Sequence, residues 1–438
     1  MEMVEGVCKS CGREHHCGVK EVLVEAGALR KLPALLDEAG AKKPFLVMDE
    51  NTKTAAGNEV MDILCSAHIP FVTYCFPTRE IINPTEESVG KVMMSYDPSC
   101  DCALAIGSGV INDITKFISR VSGKPYILTL TAPSMDGILS PTSSMDSNGV
   151  KVSLPSALAW GAVADLDVLC DAPKHMLAAG AGDMIAKYIS ICEWRISNLI
   201  TGEYYCPDIA AMMEKAARSV TSCSSELMSG DKKAIKEVTE GLILAGSAMA
   251  YAGCTRPASG MEHYISHLMD MRKLSLGKAT DLHGIQVGTG TLVAMKLYDE
   301  VRKIPSIDTA GAKAYAQSFD YGAWADRLRS LLGSSAEILI ATEKKEGKYD
   351  AARQAVRVER IAAVWPQILS IINESLPDTQ TIQTMLRELG IPQTLEDYDI
   401  RKEDIPDLIK ATKDIRDKYV GTRLLWDIGK LDEVVGKL

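Results

Sequence analysis

Short hydrophobic runs alternate with amphipathic stretches over residues 19 to about 171. Four of these runs are short and β-like: FLVMD (45–49), FVTYCF (71–76), CALAIG (102–107) and YILTLT (126–131). The stretches between them, such as AGALRKLPALLDEAG and PTEESVGKVMMSY, have helical spacing. This alternation predicts βαβ units and a parallel sheet, so we expect a Rossmann-like α/β domain here.

From about residue 173 the pattern changes to consecutive helices with few β-like runs. The predicted helices cover residues 174–200, 207–228, 231–252, 259–272, 283–301, 309–331, 349–374 and 378–389. We therefore place a domain boundary after residue 172. The chain is expected to consist of an α/β domain (1–172) and an all-α domain (173–438).

Composition and charge narrow the class of protein. The chain has 438 residues, 46% of them hydrophobic and 24% charged, which is an ordinary balance for a globular protein of two or three domains. A net charge of −10 argues against a nucleic-acid partner. No apolar run is long enough for a membrane span, and the N-terminus has no apolar signal core. We therefore expect a cytoplasmic protein whose cysteines are mostly reduced.

The turn after the run CALAIG carries the first candidate chemistry. Gly107 and Gly109 bracket a serine between a strand and a helix, where backbone N–H groups can face a diphosphate. Asp49 ends an earlier strand and can accept hydrogen bonds from an adenosine ribose. Each feature also has a structural explanation, since glycine suits a tight turn and Asp49 can cap the turn DENT. Together they predict a nicotinamide dinucleotide cofactor.

Three of the seven histidines, His263, His267 and His283, lie close together in the sequence. Pro257 and a Ser259–Glu262 capping box predict a helix start, which places His263 and His267 on one helix face. Neutral imidazoles combined with a carboxylate are common ligands for zinc, iron or nickel. A catalytic metal site keeps three protein ligands and an open position.

The carboxylate ligand is not determined by spacing. Asp183 follows the small-residue run AAGAG, which allows close backbone approach, and it begins an apolar helix. Asp136 and Glu262 are alternatives. The spacing also leaves His267 open as a ligand.

Five motifs give the chain a resemblance to a known family. They are GSGVINDITK (107–116), TAPSMDGILSP (131–141), AGDMIAKY (181–188), RPASGMEH followed by YISH (256–267), and LHGIQVG (282–288). In this order they resemble the sn-glycerol-1-phosphate dehydrogenases, particularly the bacterial type, within the superfamily of iron-dependent alcohol dehydrogenases, glycerol dehydrogenases and dehydroquinate synthases. The resemblance implies the dehydroquinate synthase-like fold. After about residue 330 we recognise no motif.

The resemblance also implies roles for individual residues. Asp183, His263 and His283 correspond to the ligands of one divalent metal, zinc or nickel, with iron as a further option. Asp183 and His267 correspond to catalytic residues, and both contact the substrate together with Asp136. The NAD contacts correspond to Asp49, Gly109, Val110, Ile111, Asn112, Asp113, Thr131, Ala132, Pro133, Ser134 and Ser140. Asp49 favours NAD, and NADP is the alternative.

The implied reaction is hydride transfer between NAD(P)(H) and the pair glycerone phosphate and sn-glycerol 1-phosphate, a step of phospholipid metabolism. The metal acts as a Lewis acid toward the substrate oxygen. A homo-oligomer acting on a small phosphorylated triose or polyol is expected. Alternatives are a related polyol (glycerol) dehydrogenase, a dehydroquinate synthase-like sugar phosphate cyclase, and a non-catalytic binding protein.

Two smaller features have competing interpretations. Lys187, one helical turn after Asp183, supports Asp183 or the substrate phosphate, or is a surface lysine with a packed stem. Arg256 is another cation near the motifs. The N-terminal segment CKSCGREHHC has the residue types of a small zinc site in Cys8, Cys11, Cys17 and either His15 or His16, although a second C-x-x-C pair is missing.

Overall fold

The computed structural model describes residues 6–147 and 150–438. Its internal contacts divide the chain into two compact units. The first unit contains Met1–Met184 and Arg218–Cys254, and the second contains Ile185–Ala217 and Thr255–Leu438. The first unit thus extends past residue 172 to Met184, and it also includes Arg218–Cys254 from the part of the chain that was expected to form the second domain.

The first unit is built on a six-stranded parallel sheet with the order β3-β10-β7-β6-β4-β5. Its four predicted strands are confirmed, whereas β3 and β10 were not predicted. Two antiparallel hairpins, β1-β2 and β8-β9, complete the strands. The strand bounds are β1 (Gly6–Val7), β2 (Glu14–His15), β3 (Glu21–Glu25), β4 (Pro44–Asp49), β5 (Val72–Phe76), β6 (Cys102–Gly107), β7 (Tyr126–Leu130), β8 (Thr142–Ser147), β9 (Val150–Pro155) and β10 (Gly161–Asp165).

Helices cover the sheet and make up most of the second unit, so the expected class, a parallel α/β sheet followed by a largely helical region, is confirmed. The α-helix bounds are α1 (Leu32–Glu38), α2 (Glu50–Thr52), α3 (Asn58–Ser66), α4 (Glu86–Met94), α5 (Gly109–Ser122), α6 (Leu166–Cys170), α7 (Lys174–Ile185), α8 (Lys187–Thr201), α9 (Pro207–Ser222), α10 (Ser224–Leu227), α11 (Lys232–Ala252), α12 (Met261–Ser275), α13 (His283–Arg302), α14 (Thr309–Gln317), α15 (Tyr321–Leu332), α16 (Ala336–Glu346), α17 (Ala351–Ser375), α18 (Thr379–Glu388), α19 (Ile405–Ala411), α20 (Gly421–Asp427) and α21 (Leu431–Val435).

The core of the first unit lies where the sheet meets its helices. Leu46, Leu104, Ile127 and Val163 come from four adjacent strands and belong to one buried cluster. Burying such apolar side chains on a sheet face is the main favourable term that holds these strands in register.

Close backbone approach fixes α7 and α11 within the first unit. A Cβ at Gly180 of α7 would overlap the carbonyl oxygen of Pro133, and a Cβ at Gly246 of α11 would lie 2.7 Å from the backbone nitrogen of Leu139. The small-residue run before Asp183 therefore allows close backbone approach, as the sequence indicated. Both contacts fall on the TAPSMDGILSP segment, which they hold in place.

In the second unit, α12 and α13 pack against each other and carry the clustered histidines. The residues after 330 supply supporting helices and Tyr349, whose ring stacks on that of Phe319 at 3.7 Å between centroids. Among the described residues, no helix is long and apolar enough to cross a bilayer.

Candidate metal centre and cofactor turn

Asp183, His263 and His283 form a group whose potential ligand atoms all lie within 4.8 Å of one another. This group, found among the described residues, does not include the alternatives Asp136, Glu262 and His267. The side chains of Asp183 and His263 are buried and that of His283 is half-buried. Two imidazoles and one carboxylate leave further coordination positions for a substrate, as in catalytic metal sites.

Asp183 stands near the end of α7, and its position is fixed from the TAPSMDG segment. Its Oδ2 accepts a hydrogen bond from the backbone N–H of Asp136 at 2.9 Å. Hydrogen bonds of this kind orient a ligating carboxylate. The structure thus brings the motif residue Asp136 to Asp183 through its main chain.

His263 is oriented by the residue before it. Its Nδ1 lies 2.8 Å from Glu262 Oε1, which also accepts the backbone N–H of Gly260 at 2.7 Å. Because a carboxylate only accepts, Nδ1 carries the proton and Nε2 presents the lone pair. Helix α12 has Gly260 as its N-cap, without a side-chain cap, so the expected Ser259–Glu262 capping box is not formed. Glu262 instead caps Gly260 and orients the histidine.

His283 has the same tautomer for a different reason. Its Nδ1 lies 3.2 Å from Ser266 Oγ, and this hydroxyl donates its hydrogen to Gln286 Oε1 at 2.8 Å. Since the hydroxyl has only one hydrogen, Nδ1 of His283 must be the donor to Ser266. The lone pair of His283 is therefore on Nε2. Both histidines are prepared to ligate through the same ring atom.

His267 lies beside this group on the same helix as His263. Its ring is half-buried and stacks with that of His283 at 6.1 Å between centroids. The rings of His263 and His283 are closer, at 5.1 Å. The geometry thus separates His267 from the two candidate ligands while keeping it at the site.

Glu193, which sequence analysis missed, holds the first turn of α12. Its Oε2 accepts the N–H of Met261 at 2.8 Å, and its Oε1 accepts the N–H of Gly421 at 2.7 Å and the hydroxyl of Tyr298 at 3.0 Å. Burial, followed by the nearby Glu262 carboxylate, raises the pKa of Glu193 to about 7. No local sequence pattern marks this residue, because its partners are far away in the chain.

The raised pKa of Glu193 predicts a pH-dependent stability. The unfolded chain releases this proton near pH 4.5, whereas the folded chain retains it up to about pH 7. The unfolding free energy should therefore fall as the pH rises through this window, by about 3 kcal/mol. Urea unfolding at about pH 5 and about pH 7.5 should show a smaller fall for Glu193→Gln than for wild type. The assignment would be contradicted if the unfolding free energy of Glu193→Gln fell between these pH values as much as that of wild type. It would also be contradicted if replacing the exposed Glu374 by Gln reduced this fall equally.

The glycine turn lies at the start of α5, as predicted. Ser108 is its N-cap residue, and Ser108 Oγ donates to the carbonyl oxygen of Ala132 at 2.9 Å and lies 2.6 Å from Ser134 Oγ. The N–H of Thr131 donates to the carbonyl oxygen of Gly107 at 3.1 Å. These bonds join the two segments that were expected to contact NAD. Of the other predicted contacts, Pro133 and Ile111 are buried, and Gly109 and Val110 are half-buried at the helix start.

The side chains of Asn112 and Asp113 are used inside the protein. Asn112 Nδ2 donates to the carbonyl oxygen of Ile138 at 2.9 Å, and Asp113 Oδ1 accepts from Lys116 Nζ at 3.2 Å. Lys116 also donates to Ser140 Oγ at 3.2 Å. Burial lowers the pKa of the Lys116 ammonium, and Asp113 opposes this change. Hydrogen bonds from these polar side chains thus connect α5 to the segment 137–142.

Asp49 ends β4 and caps α2. Its Oδ1 accepts the backbone N–H of Thr52 at 2.7 Å, and Thr52 Oγ1 accepts the backbone N–H of Asp49. The structural explanation of Asp49 is therefore confirmed. Its half-buried carboxylate still lies at the end of a parallel strand, where dinucleotide-binding folds place the ribose.

Two lysines donate hydrogen bonds to the segment that leads into α12, and a third cation, Arg256, belongs to the segment itself. Lys187 is fully buried, which excludes a surface lysine, and its Nζ donates to the carbonyl oxygen of Ala258 at 3.0 Å. Lys418 Nζ donates to the carbonyl oxygen of Ser259 at 3.1 Å. Arg256 is instead engaged by Glu203, with 2.6 Å between its Nη2 and Glu203 Oε2. Lys418 was missed because it lies in the tail without motifs.

The sheet, the helical second unit and the carboxylate–histidine group are those of a metal-dependent, nicotinamide-linked dehydrogenase. Residues 23–173 match a family model described as iron-containing alcohol dehydrogenase. The fold is that of a probable glycerol dehydrogenase from Sinorhizobium meliloti, which it matches with a TM-score of 0.61 and 16% identity over 96% of this chain and 98% of the other.

Curated relatives identify the family more closely. The chain is 34% identical to a glycerol-1-phosphate dehydrogenase [NAD(P)+] from Halalkalibacterium halodurans, over 67% of this chain and 74% of the relative. It is 31% identical to the enzyme of that name from Geobacillus thermodenitrificans, over 85% and 91% of the two chains. The chain belongs to the glycerol-1-phosphate dehydrogenase family, which confirms the resemblance. It is an oxidoreductase that uses NAD(P) and a metal.

Proposed function

We propose that the protein interconverts glycerone phosphate and sn-glycerol 1-phosphate, with hydride transfer to or from NAD. The observation that carries this proposal is the group Asp183, His263 and His283, in which both histidines present Nε2. Such a donor set fits zinc, nickel or iron, and we favour zinc or nickel. A divalent ion bound there supplies Lewis acidity toward the substrate oxygen, and NAD supplies the hydride acceptor.

The chain's own residues position the reactants. His267, next to His283, is proposed to orient a substrate hydroxyl and to relay its proton. Asp136 is proposed as a further substrate contact, and its N–H holds Asp183. The N-terminus of α5 and the segment Thr131–Ser134 are proposed to bind the diphosphate, because helix N–H groups there favour an anion. Asn112 contributes by fixing the segment 137–142 directly, and Asp113 contributes by pairing with Lys116, which donates to the same segment.

The substrate phosphate requires positive charge. Lys187 and Lys418 both reach the segment just before α12 and are proposed to supply it. Arg256 is assigned to structure instead, because Glu203, Ser197 and the carbonyl oxygen of Tyr419 take its donors.

The experiment that tests the function is NADH oxidation by metal-loaded protein with glycerone phosphate, compared with dihydroxyacetone. We expect kcat/KM to be at least about a hundredfold higher for the phosphorylated ketone, because a charge-assisted phosphate contact strengthens binding. Lys418→Met should lower this kcat/KM ratio, while Lys313→Met, which removes a half-buried lysine paired with Glu359, should leave the ratio unchanged.

Other outcomes of these assays would favour the alternative functions. Equal rates with dihydroxyacetone would favour a polyol dehydrogenase. Phosphate release from a sugar phosphate without net NADH change would favour a cyclase. No turnover by metal-loaded protein that binds NAD would favour a binding protein.

A further inference from the structure

The N-terminal segment folds into a short hairpin that carries two cysteines on one tight turn. Strands β1 and β2 pair antiparallel, and between them the N–H of Gly12 donates to the carbonyl oxygen of Cys8 at 2.9 Å. Gly12 has a φ of +73°, which suits a glycine. The sequence Cys8-Lys9-Ser10-Cys11-Gly12 therefore places two thiols, three positions apart, on a closed turn. This spacing is typical of half of a zinc site.

His15 on β2 supplies a third donor with a defined tautomer. Its ring is buried, and its Nδ1 lies 2.9 Å from the carbonyl oxygen of Tyr251. A carbonyl only accepts, so Nδ1 carries the hydrogen and Nε2 presents the lone pair. Nε2 in turn lies 3.3 Å from Cys11 Sγ. A backbone carbonyl behind a histidine is the usual outer contact of a metal-ligating imidazole.

Cys206, which directly precedes α9, completes a group of four. The ligand atoms of Cys8, Cys11, His15 and Cys206 all lie within 4.8 Å of one another. Around a tetrahedral zinc ion with bonds of about 2–2.3 Å, ligand atoms lie roughly 3.5–3.8 Å apart, so small shifts suffice. The twelve cysteines all lie in the described part of the chain, and none of them forms a disulfide.

We propose that Cys8, Cys11, His15 and Cys206 bind one structural zinc ion, separate from the metal at Asp183, His263 and His283. Three cysteines and one histidine fill a tetrahedral site, so no position remains for a substrate. On binding, three S–H bonds break, three Zn–S bonds and one Zn–N bond form, and the three protons pass to solvent without any redox change. One sequence candidate is replaced, since Cys206 takes the place of Cys17, and of the two histidine candidates His15 rather than His16 belongs to the group.

The small size of the hairpin explains why a bound ion would stabilise it. Strands β1 and β2 contain two residues each, and a hairpin this short is not stable through its ladder alone. Bound zinc would hold the turn and β2 together, and its binding energy would add to folding.

Cobalt substitution of the full-length wild-type protein tests the proposal without any variant. Thiolate ligands give sulfur-to-cobalt charge-transfer absorption in the near ultraviolet, which the Asp183 site cannot produce because it has no sulfur. We expect these bands in wild type and two metal equivalents per chain by elemental analysis. Cobalt-loaded wild type without the bands would overturn the proposal.

Variants then assign the ligands. Cys206→Ser and Cys8→Ser should each lose one metal equivalent and the charge-transfer bands, and Cys206→His should retain the metal. Cys17→Ser is the matched control, because Cys17 is also buried in the same segment. This variant should keep the metal and the charge-transfer bands. His283→Ala should lose the other equivalent and keep the bands, so this test is independent of the proposed activity. Full stoichiometry in Cys8→Ser, or loss of the bands in Cys17→Ser, would contradict the ligand set.

Discussion

Replacement of His283 by alanine is expected to abolish activity and remove one metal equivalent while NAD binding persists. His283 Nε2 is one of three proposed donors, and its Nδ1 is already committed to Ser266. With only two ligands left, the affinity for the metal should fall by at least about a hundredfold. The value of kcat/KM should fall by about a thousandfold or more. Elemental analysis, steady-state kinetics and NADH fluorescence titration measure the three effects.

His267→Ala is the matched control for this prediction. Its ring stacks with His283, yet it is outside the group of candidate ligands. We therefore expect full metal content with a loss in kcat of roughly a hundredfold, as for a residue that orients substrate and relays a proton. Loss of metal from His267→Ala, or full metal in active His283→Ala, would contradict the assignment of these two histidines.

The sequence was sufficient for most elements because their signals are local. Elements with their own hydrophobic period lie within a few residues of the predicted bounds: strands β4 to β7 and helices α11, α12, α13, α17 and α18. The structure divides each of three predicted helices, 174–200, 207–228 and 309–331, into two. Strands β3 and β10 were missed because EVLVE is short with charged ends and GAVAD consists mostly of small residues. The membership of α11 in the first unit was also hidden, since a helical pattern does not reveal which surface the helix packs on.

The candidate site was only partly predictable for a related reason. The histidine cluster is local in sequence, but the choice of Asp183 over Asp136 and Glu262 depended on the family resemblance and on three-dimensional proximity. Glu193 supports the start of α12 from 68 residues away, and no motif marks such a contact. Lys418 and Cys206 are likewise brought to their partners by the fold rather than by spacing.

The second large effect is expected from Lys116→Met, which should destabilise the glycine turn at the start of α5. Lys116 is fully buried, and its ammonium shares its three hydrogens among four acceptors within hydrogen-bond distance: Asp113, Ser140 and the carbonyl oxygens of Gly137 and Thr142. Methionine fills the space of the stem but leaves the buried Asp113 carboxylate without its cation. Breaking one side of a buried ion pair costs about 3–5 kcal/mol.

Urea unfolding measures this loss of stability. The KM for NAD should also rise, because the segment 137–142 loses the Lys116 hydrogen bonds that attach it to α5. Lys43→Met is the matched control: its partner Asp97 is about a third exposed, so solvent screening should keep the loss much smaller than for Lys116→Met. The double variant Lys116→Met, Asp113→Asn should recover part of the stability, since it removes the uncompensated charge. Equal losses for Lys116→Met and Lys43→Met would mean that the buried ion pair does not hold the turn.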